Sequence, residues 1–223
     1  MSTKLLFQSI YKFLLGVVLV GLLIFLPAGT LSYFNGWLLM GILFIPMFFA
    51  GILMLIKNPD LLRKRLNGKE KRNEQGVVVK LSGFMFCAGF IIAGFGIRLN
   101  WYILPQWVTV IGAILFIIAY ILYAEVIREN TYLSRTIEVQ EGQKVIDTGL
   151  YGLVRHPMYT ATIILFLSMP IILGSVYAFL VFLLYPFIIV VRLKDEEELL
   201  QKELDGYREY MQRVRYRLIP FIW

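Results

Sequence analysis

The chain has 223 residues, of which 59% are hydrophobic and 17% charged, with a mean hydropathy of +0.72 and a net charge of +7. One soluble core of this length cannot bury so much apolar surface, so a soluble globular protein is excluded and an integral membrane protein is expected. A single cysteine, Cys87, rules out an internal disulfide. A single histidine, His156, rules out a multi-histidine metal site, and the carboxylates lack zinc-ligand spacing, so no metal is expected.

In chain order, apolar runs long enough for a bilayer of roughly 30 Å lie near Ile10 to Leu26, Trp37 to Ile56, Leu81 to Ile97 and Trp107 to Tyr123. Lys4 and Lys12 precede the first as in a signal peptide, but no convincing small-residue cleavage site follows, so it counts as a span. In the third, Gly89, Ala93, Gly94 and Gly96 form a small-residue surface for close helix approach; no strand precedes them, which argues against a nucleotide loop. These four spans are nearly free of mid-span charge.

From Glu125 the chain turns polar, in "EVIRENTYLSRTIEVQEGQKVIDTGLYGLVRHP". Such a long connection, rich in Val, Ile, Leu and Tyr and with a turn at Asp147, Thr148 and Gly149, reads as an ordered loop folded against a partner. Met158 to Val191 follows, interrupted by Pro170, Gly174, Ser175 and Pro186. It reads as two short helices joined by a turn at Leu173 to Ser175, giving an all-α, polytopic bundle of about six spans; the alternative is five spans plus a re-entrant segment, since each half is slightly short.

Lysine and arginine cluster between Lys57 and Lys80, between Arg128 and Arg155, and after Arg192. The intervening loops carry none or, near Asn100, only Arg98. This alternation is the positive-inside pattern, placing both termini in the cytoplasm and assigning the excess charge to topology and anionic lipid headgroups, with no nucleic-acid partner. Trp37, Trp101, Tyr102 and Trp107 fall at the opposite ends, as an interfacial aromatic belt.

Pro157 suits the first position of the fifth helix, which sets Arg155 and His156 at a helix N-terminus. Open N–H groups, the helix dipole and Arg155 would make a site there for a carboxylate or phosphate, flanked by Tyr151 and Tyr159. The plainer reading is a set of interfacial anchors. After the last span, Leu193, Leu200, Leu204, Tyr207, Met211 and Val214 line one stripe of a C-terminal amphipathic helix lying on the membrane or under the spans. Glu196 and Glu197 flank that stripe, where burial demands a cationic or hydrogen-bonding partner; Arg192, one turn earlier, is a candidate. Asp195 and Glu198 are expected on the solvated face. An anion site facing carboxylates suits S-adenosylmethionine, whose carboxylate needs donors and whose ammonium and sulfonium favour acceptors and aromatic faces. A nucleotide would call for a glycine-rich loop that is absent.

The order "GQKVIDTGLYGLVRHPMY", a hydrophobic hairpin, Arg192 with Glu196 and Glu197, and a closing "YREYMQRVRYRLIP" resembles the isoprenylcysteine carboxyl methyltransferase and phospholipid methyltransferase superfamily over roughly Glu125 to the C-terminus. The resemblance implies a membrane-integral, S-adenosylmethionine-dependent methyltransferase with a lipophilic or small acceptor, built as one membrane domain in which residues 1–124 are scaffold and 125–223 the cofactor-binding and catalytic half. By motif position Gln143, Lys144, Val145 and Ile146 would contact the cofactor, and Tyr151, His156, Pro157 and Tyr159 would complete its cradle. Arg192 and Glu196 would face the acceptor, with Glu197 serving either ligand. Sterol and steroid reductases that use NADPH resemble the same half, and a non-enzymatic protein with a structural cluster of Arg155, Arg192 and glutamates is the other alternative.

Overall fold

The computed structural model describes residues 3–66, 73–134 and 136–223. Nine α-helices are present among them: α1 (Thr3–Ala28), α2 (Phe34–Lys57), α3 (Pro59–Leu66), α4 (Asn73–Arg98), α5 (Gln106–Glu129), α6 (Pro157–Ile172), α7 (Val176–Phe182), α8 (Tyr185–Glu203) and α9 (Tyr207–Arg213). A 3₁₀ turn spans Gly149–Gly152, and no strand occurs among the described residues. Lys69, Lys71, Arg72 and Arg135, counted above in the basic clusters, lie outside the described residues.

All the expected apolar runs are helical. Five helical segments are long and apolar enough to cross a membrane: α1, α2, α4, α5, and α7 with α8 taken together as Val176–Glu203. Side chains such as Phe7, Leu26, Phe49 and Phe84 are largely exposed along them, as lipid-facing residues of a multi-pass membrane protein are. The sixth, α6, has 16 residues. At 1.5 Å per residue it is about 24 Å long, short of a crossing of roughly 30 Å.

The small residues of α4 bring helices close. A Cβ on Gly94 would stand 2.5 Å from the Ile24 carbonyl of α1, and one on Gly89 would stand 2.3 Å from the Phe182 ring of α7. α5 packs along α6, where Gly112 meets Ile171. The turn between α6 and α7 forms at the expected place: Gly174 adopts φ +72°, and the Ser175 hydroxyl caps α7 by accepting from the Ala178 amide at 3.2 Å. That turn is held at one end of the bundle, because the buried Tyr33 hydroxyl donates to the Leu173 carbonyl and Leu104 N donates to the Gly174 carbonyl.

At the other end lie α3, the loop of residues 130–156, α9 and the tail. The loop's described residues are irregular but packed, as expected. Val139 and Val145 pack on Leu204, Tyr207, Tyr210 and Val214, while Leu133, Ile146 and Tyr151 pack on Val126. The apolar stripe of the C-terminal segment is thus real but divided. α8 ends at Glu203, the chain turns through Gly206 at φ +80°, and α9 carries the rest. Leu193 packs in the bundle core, and from Leu200 onward the stripe faces the loop rather than lipid, because the left-handed glycine redirects the chain beneath the bundle.

Candidate functional site

Three segments converge at the loop end of the bundle. Gly149, in a left-handed conformation, lets the 3₁₀ turn start beside α5, where the Glu129 carboxylate accepts from Leu150 N at 3.0 and 3.3 Å. A Cβ at 149 would lie 1.4 Å from Glu129 Oε1, so glycine is required by space as well as by φ. The turn seats Tyr151, whose hydroxyl accepts from Asn130 Nδ2 at 3.0 Å and whose carbonyl accepts from the Tyr210 hydroxyl at 2.8 Å.

His156 caps α6, and Pro157 is its first residue, as predicted. The two amides just before α6 are taken up by the tail. Arg155 N donates to the Tyr216 carbonyl and His156 N to the Arg217 carbonyl, both at 2.9 Å. Arg155 is likewise engaged: Nε donates to Glu197 at 2.7 Å, and Nη1 to the Val214 and Arg215 carbonyls at 2.8 Å. Glu197, only 2% exposed, also accepts from Arg217 Nε at 2.8 Å and meets His156 Nε2 at 3.3 Å. One carboxylate therefore ties α6, α8 and the tail together. Its second guanidinium comes from a residue that folds back from the tail, where Arg217 also stacks over Trp223 at 5.2 Å.

Glu196, the adjacent residue, faces the other way. The Tyr159 hydroxyl donates to its carboxylate, and Arg192 Nε donates to the same hydroxyl oxygen at 3.2 Å. Arg192 and Glu196 are thus joined through a phenol of α6. The His156 and Tyr159 rings stack at 5.7 Å. Asp195, expected on the solvated face, is instead buried against Gln75 of α4, whose side-chain amide donates to it. α4 covers the side of α8 that a solvated helix would leave to water. Glu198 is solvated as expected and pairs with Lys202.

These residues border a cavity of about 610 Å³, within the usual size of a small-molecule site. Gln143, Lys144, Val145, Ile146, Tyr151, His156, Tyr159, Arg192 and Glu196 all line it. Pro157 and Glu197 do not; the first is buried in the α6 turn and the second forms the ion-paired floor. The Gln143 side chain also closes its own turn by accepting from Gln140 N at 2.9 Å.

Several lining residues escaped the sequence reading. Arg65 of α3, stacked over Tyr123 at 5.1 Å, and Val78, Ser82, Gly83 and Phe86 of α4 come from the first half of the chain. So the wall is shared between residues before and after 125. Tyr207 counted only as part of an apolar stripe, yet its ring lines the cavity and its buried hydroxyl has no hydrogen-bond partner. Burial pushes the phenols of Tyr207, Tyr210 and Tyr151 above their ordinary range. For Tyr207 the carboxylates of Glu197 and Glu196 add to this, leaving a neutral donor. Among the described residues no cluster of metal-ligating side chains occurs.

Comparison with known proteins places this site in context. The chain is 34% identical over 91 residues to a Delta(14)-sterol reductase of Mus musculus, an alignment covering 40% of this chain and 22% of that protein. The chain therefore spans well under two thirds of that relative. Residues 107–205 match the family model described as phospholipid methyltransferase. That segment runs from the start of α5 through the loop, α6, α7 and α8, and so carries most of the cavity lining together with the Tyr159, Arg192 and Glu196 group. Residues 107–205 are thus similar to the phospholipid methyltransferase family, which belongs to the isoprenylcysteine carboxyl methyltransferase-like superfamily.

Proposed function

We propose that the protein is an S-adenosylmethionine-dependent methyltransferase acting on a lipophilic or small acceptor at the cytoplasmic face of its membrane, with both termini on that side. The observation that carries this reading is the Arg192, Tyr159 and Glu196 group. It sits on a cavity whose other walls are the loop 143–146 and apolar α4, inside the segment that matches a methyltransferase family.

The residues present fit the cofactor. The unpartnered Tyr207 hydroxyl is a buried donor awaiting an acceptor, and the cavity has room for a molecule of that size. Gln143, Lys144, Val145, Ile146, Tyr151, His156 and Tyr159 would hold it. Pro157 would act only by fixing the α6 turn, and Glu197 only by holding Arg155 and His156 in place. When bound, S-adenosylmethionine supplies a methyl group already activated by its sulfonium. What the chain contributes is alignment of the acceptor and exclusion of water. Glu196 takes the proton released by an amine or hydroxyl acceptor, and Tyr159, tied to Arg192, holds that carboxylate in place. A carboxylate acceptor would need no proton removal and would pair with Arg192. The scaffold role falls mainly to residues 1–124 and the chemistry to 125–223, with α4 contributing a wall.

Calorimetric titration of S-adenosylmethionine tests the assignment. Glu196→Gln should bind with nearly normal affinity and fail to turn over, whereas His156→Ala should bind weakly; equal affinities would overturn the roles given. The relationship to a sterol reductase supports one alternative, an NADPH-dependent reductase. A thermal-shift comparison of the two cofactors separates them, since stabilisation by NADPH alone would select the reductase.

A further inference from the structure

We propose that Gly83 is a specificity-determining residue: it keeps open the lateral mouth through which the apolar chain of the acceptor enters the cavity. This inference rests on the methyltransferase reading and assigns to it a residue outside the family match.

Val78, Val79, Ser82, Gly83 and Phe86 line the cavity from one face of α4 at helical spacing. α4 is an apolar, membrane-length helix, so the part of this face that is exposed opens on lipid acyl chains rather than water. Val79 and Gly83 are both exposed and both on the cavity wall, which locates the mouth between them. Phe86, Phe166 and Tyr185 also line the cavity and are in mutual ring contact at 4.7 to 6.1 Å. This apolar part of the lining belongs to the same cavity as the Tyr159 and Glu196 pair. An amphiphile fits this shape, its reactive group at Glu196 and its acyl or alkyl chain crossing α4.

The glycine itself is the telling residue. Glycine inside a helix is unfavourable relative to alanine, so its presence calls for a cause. At Gly89 and Gly94 the cause is packing, because a Cβ would collide with Phe182 and with the α1 backbone. At Gly83, as at Gly51 and Gly76, a Cβ would meet nothing within 4 Å, but of these three only Gly83 lines the cavity. No neighbour requires the small residue; what it preserves is empty space at the mouth.

The test uses full-length protein in lipid nanodiscs containing a phosphatidylethanolamine with a photoreactive diazirine in its acyl chain, with adducts mapped by mass spectrometry. Wild type should show adducts on Val79, Phe86 or Ile189 well above those on lipid-facing α1. In Gly83→Phe these should fall about tenfold against the α1 adducts, the scale expected when an apolar pocket loses room for several methylenes. Gly83→Leu should fall in between, and Gly83→Ala should stay close to wild type, so that the series does not depend on one variant folding. Undiminished adducts in folded Gly83→Phe or Gly83→Leu, or wild-type adducts on α4 no stronger than on α1, would overturn the proposal. Calorimetry with S-adenosylmethionine on the same preparations separates the two levels. Failure of wild type to bind it defeats the methyltransferase reading, whereas normal binding with an unchanged adduct pattern defeats only the role of Gly83.

Discussion

Arg155 and Glu197 meet at 2.7 Å with both side chains almost fully buried, and this contact forms the floor beneath the cavity. A carboxylate so placed is not available to a ligand. Glu196, one residue earlier, is, because its carboxylate is held by Tyr159 on the cavity side. The two glutamates of the pair therefore have separable roles, one in the fold and one in the proposed chemistry.

Replacing Glu197 should accordingly be felt as instability. Glu197→Gln leaves Arg155 buried and Arg217 partly buried without a counter-charge, a change that costs about 3–5 kcal/mol when a buried pair is broken. Thermal unfolding in detergent should show a large drop for this variant and little change for Glu196→Gln. A Glu197→Gln protein as stable as wild type would contradict the structural role.

Tyr207→Phe offers a contrast of opposite sign. Its hydroxyl has no partner in the unliganded protein, so its removal should leave stability unchanged or slightly raised. Cofactor affinity should fall by roughly 3- to 10-fold, the equivalent of one hydrogen bond of about 1 kcal/mol. Unchanged affinity would mean that the phenol does not touch the ligand.

At Gly149 both φ and space are restrictive. Gly149→Ala places a methyl group on the Glu129 carboxylate and should displace the 3₁₀ turn that seats Tyr151. Loss of stability by about 1–3 kcal/mol is expected, as for strain at a special backbone position. Proteolysis of the loop 130–156 should accelerate in parallel.

Alkaline stability should report on the three buried phenols at this end. Tyr151, Tyr207 and Tyr210 have their ionisation raised by burial above the ordinary value of 10.0. The folded state then keeps protons that the unfolded state releases above pH 10, so their contribution is fully present below pH 10 and is lost as pH rises beyond it. Each group contributes a slope of about 1.4 kcal/mol per pH unit in that window. Tyrosinate absorbance followed together with unfolding should show these groups ionising only as the fold is lost.

Much of the bundle was legible in the sequence because local chemistry dictates it. Pro157 can only begin α6, Gly174 permits the left-handed turn before α7, and the small residues of α4 mark the approach of α1 and α7. Helical phase set Glu196 and Glu197 on a common stripe. It could not divide them, since that division depends on carbonyls and an arginine of the tail returning beneath α6. The burial of Asp195 and the cavity-facing side of Tyr207 were not legible for the same reason. Each is defined by a neighbour distant in sequence, Gln75 for the first and the open cavity for the second. The wall formed by α4 was likewise invisible, because no local pattern distinguishes a glycine that admits a neighbouring helix from one that borders empty space.

The shortness of α6 has a further consequence. Its turn is moored by Tyr33 and Leu104 at one end of the bundle, so a helix of about 24 Å stops before the opposite surface of a bilayer of roughly 30 Å. With that turn set at the opposite headgroups, His156 and Tyr159 would stand recessed in the bilayer, at a depth fixed by the protein while the membrane's thickness can vary. Lengthening the acyl chains of the host bilayer would sink this centre further from water-soluble reactants without altering one protein contact, making lipid composition itself a dial on turnover.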